Sequence, residues 1–114
     1  YTMEVILYHN NNCSKSRECL KLLQEKKVEF QIRNYLKSPL TIKELESIIK
    51  NLNDNIEDLL RDKKLIDSNL LKSPDKLAKI IFSNQKILQR PIIYFRKYWI
   101  CRPPEKVLKI LEID

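Results

Sequence analysis

The sequence predicts an α/β domain, a small four-stranded mixed sheet surrounded by helices with a helical insert between its halves. Three observations lead there. A strand–helix–strand unit fills the first part of the chain, amphipathic helices occupy about residues 40–85, and two β-rich segments and a last helix follow. At 114 residues, the whole chain (1–114) suits one domain with one compact core.

Met3–Tyr8 (MEVILY) reads as a buried strand, because Val5, Ile6, Leu7 and Tyr8 form an unbroken run of strand formers. The polar run His9-Asn10-Asn11-Asn12 ends it, and Asn accepts turn conformations better than most non-glycines. Ser16–Lys26 carries Cys19, Leu20, Leu22 and Leu23 at helical spacing, and Val28–Tyr35 is a second strand, apolar at Val28, Phe30 and Ile32. Strand, helix and strand in so short a span form a βαβ unit, which requires parallel strands and a right-handed crossover.

In the insert, Thr41-Ile42-Lys43-Glu44 has capping-box spacing, and Ile42, Leu45, Ile48, Ile49 and Leu52 line one helical face. Asn55 is placed to cap a short helix containing Leu59, Leu60 and Arg61. Ser73-Pro74 opens another helix, with Leu77, Ile80 and Ile81 on its buried face. Ile92–Phe95 and Tyr98–Cys101 flank Arg96-Lys97 as a hairpin whose turn lacks the favoured Gly. Pro103-Pro104-Glu105 starts a last helix with Val107, Ile110 and Leu111 inward. The order βαβ, helical insert, ββα is the thioredoxin-like, glutaredoxin-type architecture.

Composition narrows the function. With no Gly, the chain holds neither a glycine-rich phosphate loop nor a dinucleotide fingerprint. Its apolar runs are too short for a membrane span or a signal-peptide core, so no membrane partner is expected. Three Cys without such a signal suggest reduced thiols and a cytoplasmic location. The formal charge of +7 comes from 22 Lys+Arg against 15 Asp+Glu, and most of the basic residues are scattered lysines. The one basic stretch with aromatics, Arg96-Lys97-Tyr98-Trp99, is accounted for by the hairpin, so no nucleic-acid partner is expected. Nothing in the sequence calls for an obligate oligomer, and a monomer is expected.

Cys13 falls where the first strand gives way to the first helix. The unpaired N–H groups of a helix start favour an anion there, and Lys15 and Arg17 add positive charge. A thiol in that setting has a lowered pKa and acts as a nucleophile through its thiolate. His9, four residues earlier, tunes the thiol further if it is cationic and within reach. Ser16 stands where a two-thiol oxidoreductase carries its second Cys, so a monothiol mechanism with an external thiol such as glutathione follows. Cys19 lies among leucines as a core residue, and Cys101 ends a strand beside Arg102, where a second reactive thiol stays open. No Cys pair has metal-ligand spacing and there is a single His, so no metal or bound cofactor is expected.

Arg90 precedes Pro91 and a strand, Arg102 follows the next strand, and Arg61 lies in the insert. The planar fork of Arg suits bidentate grip on an oxyanion. In a thioredoxin-like fold the loop before the third strand faces the start of the active helix, and its Pro is usually cis. Pro91 takes that place.

These residues carry a family resemblance. Tyr8-His9-Asn10-Asn11-Asn12-Cys13-Ser14-Lys15-Ser16-Arg17 resembles the HNPxCxxSR signature of glutaredoxin-type arsenate reductases. Leu88-Gln89-Arg90-Pro91-Ile92-Ile93 and Cys101-Arg102-Pro103-Pro104-Glu105 resemble that family's two later motifs, and Arg61 in Leu59-Leu60-Arg61 matches its third arginine. Asn11 stands where the family usually has Pro, a change expected to loosen the loop before the thiol. The chain ends soon after its last helix and so resembles the family's short branch.

The resemblance implies that arsenate is held by Arg61, Arg90 and Arg102 while the Cys13 thiolate attacks arsenic. His9 helps keep the thiol ionised, with Ser16, Arg17 and Pro91 in support. Glutathione, as co-substrate, then adds, and glutaredoxin reduces the mixed species so that arsenite leaves. Two other functions fit the same fold: a glutathione-dependent thiol reductase or deglutathionylase, and a redox regulator that binds RNA polymerase. The second commonly uses a two-Cys switch, which Ser16 removes.

Overall fold

The computed structural model describes residues 4–65 and 67–113. Its sheet has four strands, β1 (Ile6–His9), β2 (Gln31–Asn34), β3 (Ile92–Phe95) and β4 (Lys97–Ile100), in the order β2-β1-β3-β4. β1 and β2 are parallel, with His9 opposite Asn34, whereas β1–β3 and β3–β4 are antiparallel. This is the predicted mixed sheet.

Alternation along the central strands divides the interior into two cores, because successive strand side chains point to opposite faces. Val5 and Leu7 enter one core with Ile93, while Tyr8 enters the other with Ile92. The first core takes Cys19 and Leu23 of α1 (Ser14–Glu25) and Val107 of α5 (Lys106–Ile110). The second takes Leu45, Ile48 and Ile49 of α2 (Ile42–Lys50). It also takes Leu77, Ala78 and Ile81 of α4 (Pro74–Ser83). Among the described residues no helix is long and apolar enough to cross a membrane.

Several elements differ from expectation at their edges, each for a physical reason. Met3 lies outside the described residues, and the first strand runs on through His9, which pairs with β2. Helix α1 starts at Ser14 because Cys13 is its N-cap. β2 is shorter than Val28–Tyr35 and lies at the sheet edge, which leaves Ile32 50% exposed. The Thr41 capping box is present in both directions, Thr41 Oγ1 accepting from Glu44 N and Glu44 Oε1 from Thr41 N. Asn55 precedes a 3-10 turn, Ile56–Leu59, without a side-chain cap, so Leu60 and Arg61 lie beyond it. A short helix, α3 (Ser68–Leu71), capped by Asp67, adds to the expected elements. On α4, Ile80 is 36% exposed and Ala78 takes the buried place instead.

The hairpin turns on one residue. Phe95 pairs with Lys97, and Arg96 between them has φ 66°. A non-glycine there costs about 1 kcal/mol. The guanidinium of Arg96 lies 5.0 Å from the centre of the Phe95 ring, and Trp99 Nε1 donates to the Phe95 carbonyl at 3.0 Å. Because only Arg96 lies in the turn, β4 starts one residue early, at Lys97, and runs to Ile100; α5 begins after Pro103 and Pro104, at Lys106.

Candidate active site

The segment between β1 and α1 is fastened by side chains. Asn10 Oδ1 accepts from Asn12 N at 2.9 Å, Cys13 N donates to the Asn10 carbonyl at 3.0 Å, and Arg17 N closes the first helical bond onto the Cys13 carbonyl. Asn11 does not loosen the loop. Its carbonyl accepts from Arg17 Nη1 at 2.7 Å, and its side-chain oxygen accepts from His9 Nε2. An Asn side chain here does by hydrogen bonding what a Pro ring does by restricting φ.

That second bond fixes the tautomer of His9. Asn11 Oδ1 can only accept, so Nε2 carries a proton, and in the neutral ring Nδ1 then accepts from Ser16 Oγ at 2.7 Å. Ser16 Oγ in turn accepts from Asn10 N at 3.1 Å. His9 is 2% exposed, and burial, assisted by the Arg17 charge, lowers its pKa against the opposing Asn11 hydrogen bond. A cationic His9 acting directly on Cys13 is therefore not what this geometry provides. Both ring nitrogens are engaged, and the neutral imidazole braces Ser16 and the loop.

Cys13 is partly exposed at the helix start. Burial alone would raise its pKa, but the Ser16 N–H, the Arg90 guanidinium, the Lys15 N–H and the Arg102 guanidinium together lower it. The two N–H groups act as dipoles aimed at the sulfur, since no capping hydrogen bond is completed. Arg102 Nη1 lies 3.8 Å from Cys13 Sγ. The outcome is a thiol biased towards its nucleophilic form.

Arg90 is buried. Its Nη1 donates to the carbonyls of Lys86 at 2.7 Å and Leu88 at 3.3 Å, and its Nε is buried without a partner. The Arg90–Pro91 peptide is cis, and so is Arg102–Pro103. Arg61 is exposed on a segment that pairs with the one leading to Arg90. Gln89 N donates to the Leu59 carbonyl at 2.7 Å, and Arg61 N to the Ile87 carbonyl at 3.0 Å. Its charge is felt at the Tyr35 hydroxyl, as are those of Arg90 and Cys13. The structure thus brings Arg90 and Arg102 onto the sulfur and sets Arg61 at the margin of the same space.

The other cysteines lie elsewhere. Cys19 and Cys101 are fully buried in the core between the sheet, α1 and α5. Contact with Cys19, together with burial, drives the Cys101 thiol far up, so it has no thiolate to offer. Among the described residues no three His, Cys, Asp or Glu side chains gather where they could hold a metal ion.

Nothing in the sequence sets Tyr35 apart. Parallel pairing of β1 with β2, with His9 opposite Asn34, sets the residue after Asn34 beside Asn10, the residue after His9. Residues 8–110 match the model of the ArsC family. The chain belongs to the ArsC family. It is 41% identical to the arsenate reductase of Haemophilus influenzae over 116 residues, covering 96% of this chain and 100% of that protein. Against the uncharacterized protein YfgD of Escherichia coli (strain K12) it is 40% identical over 119 residues, covering 96% and 98%. The structure of an arsenate reductase from Vibrio cholerae superposes with a TM-score of 0.82 at 34% identity, covering 96% of this chain and 99% of that one. The three ArsC-family stretches singled out in the sequence, around Cys13, Arg90 and Arg102, are the ones that meet in space here.

Proposed function

We propose that this protein reduces arsenate to arsenite at Cys13, with glutathione and glutaredoxin supplying the electrons. The observation that carries this reading is the convergence of the Arg90 and Arg102 guanidiniums on a thiol whose pKa is lowered. A thiolate ringed by arginines attracts an oxyanion and is itself a soft nucleophile towards arsenic. The names of the relatives from Haemophilus influenzae and Vibrio cholerae support the same substrate.

The thiolate displaces an arsenate oxygen, which leaves as water after protonation, and the S–As(V) bond forms. Glutathione displaces a second oxygen in the same way. Attack by a glutaredoxin thiolate on the glutathione sulfur forms a mixed disulfide and leaves the electron pair on arsenic, now As(III). Water then frees arsenite and restores Cys13. The two electrons gained by arsenic equal those lost by the two external thiols. Support for external thiols comes from Ser16 at the position of a resolving Cys and from the burial of Cys19 and Cys101. Three free thiols suit the reducing cytoplasm, and one copy of the chain carries both the thiol and the arginines of the site, so a monomer suffices.

Arsenite release from arsenate with glutathione and glutaredoxin tests the reading, with a thioredoxin system run in parallel. Release that needs glutathione and disappears in Cys13→Ser is the expected result. Release driven equally well by thioredoxin alone would overturn the choice of electron donor, and no release from folded protein would overturn the substrate.

A further inference from the structure

Tyr35 follows the last residue of β2, and its side chain is 1% exposed. A phenol in that position ordinarily finds a partner for its hydroxyl, because an unpaired buried polar group is costly. The Tyr35 hydroxyl has none. The Asn10 side chain acts on its oxygen as a donor, which leaves the hydroxyl's own proton without an acceptor. The charges of Arg90, Cys13 and Arg61, the groups of the thiol site, act on it. Arg90 Nε is a second buried donor with nothing to donate to. The remaining buried atom without a partner, Asn34 Oδ1, is an acceptor on the neighbouring residue, whose side chain leaves an extended strand on the opposite face. Two buried donors without an acceptor, the Tyr35 hydroxyl and Arg90 Nε, thus belong to residues that act electrostatically on the same site.

We propose that Tyr35 contacts the substrate, its hydroxyl donating a hydrogen bond to one oxygen of the oxyanion bound over Cys13 and sharing that anion with Arg90 Nε. This rests on the reading of the site as one that reduces arsenate. Burial keeps the phenol protonated at neutral pH, so it is always a donor. A neutral donor adds directional grip without a further charge and orients the anion for attack by sulfur.

The test is protection of Cys13 from iodoacetamide by inorganic arsenate in the absence of glutathione, compared between wild type and Tyr35→Phe. Loss of one hydrogen bond to a charged acceptor should raise the arsenate concentration for half-protection by about tenfold or more. Without arsenate, the thermal midpoint of the variant should equal or exceed that of wild type, since an unpartnered buried hydroxyl stabilises nothing. The alkylation pH profile should be unchanged. Half-protection within twofold of wild type would overturn the role of Tyr35 while leaving the site reading intact. A lower midpoint without arsenate would also overturn it, because the hydroxyl would then be partnered in the free protein. Failure of arsenate to protect wild type at any concentration would remove both.

Discussion

Arg102 Nη1 donates a 2.8 Å hydrogen bond to the carbonyl oxygen of Arg90 and lies 3.8 Å from Cys13 Sγ. The two residues are twelve apart in sequence, one before β3 and one after β4, and the hairpin returns the chain so that each flanks the sulfur. Both are followed by a cis peptide bond to Pro.

The two arginines should separate on mutation. Arg90→Ala removes a buried guanidinium bound to the Lys86 and Leu88 carbonyls, and its loss should lower stability by about 1–3 kcal/mol. Arg102 is exposed, and Arg102→Ala should cost about 1 kcal/mol or less. Both should raise the Cys13 pKa and reduce arsenate turnover. Urea unfolding beside the pH profile of alkylation measures the two effects. Equal losses of stability would contradict the buried placement of Arg90.

The thiols should fall into two classes. Native protein should react rapidly with a disulfide reagent at Cys13 alone, with a pH midpoint below that of free cysteine. Cys19 and Cys101 should react only after denaturation, when all three free thiols become available. Stoichiometry before and after denaturant is the measurement, and two fast thiols in native protein would refute the burial of the pair.

His9 makes stability depend on pH in a definite direction. Its folded pKa lies below the ordinary 6.5, so the unfolded chain binds more protons between the two values. Its contribution is fully present above about pH 6.5 and is lost as the pH falls towards the folded pKa. Denaturant midpoints should therefore begin to drop just below pH 6.5, and His9→Gln should flatten that part of the curve. A midpoint that rose on acidification through this window would reverse the assignment.

Thr41 caps α2, and the same Glu44 that completes the box receives Arg33, Nη1 to Oε2 at 2.7 Å and Nη2 to Oε1 at 3.0 Å. Burial would raise the Glu44 pKa, but the Thr41 N–H, Arg33 and the Thr41 hydroxyl lower it overall. Thr41→Ala should cost about 1 kcal/mol. Its effect should be confined to stability, with Cys13 alkylation unaltered. Calorimetry and the alkylation rate check the two halves.

Where local chemistry and periodicity decide, the chain alone determines the outcome. Unbroken runs of strand formers make β1 and β3, a capping box opens α2, and a polar turn before Ser14 leaves Cys13 at a helix start whose N–H groups favour a thiolate. Arg90 and Arg102, each beside a Pro at a strand end, were also legible as candidate anion ligands. Ionisation and partnership were decided only by the tertiary structure. A ring four residues from a thiol looks like its cation until burial and two hydrogen bonds make His9 a neutral brace. Cys101, beside Arg102 in sequence, is turned into the core against Cys19. Tyr35, unremarkable at the end of a strand, comes under the charges of Arg90 and Cys13 because parallel pairing sets the end of β2 beside the thiol loop. Desolvation and long-range charge depend on what surrounds an atom, and only the closed fold supplies those neighbours.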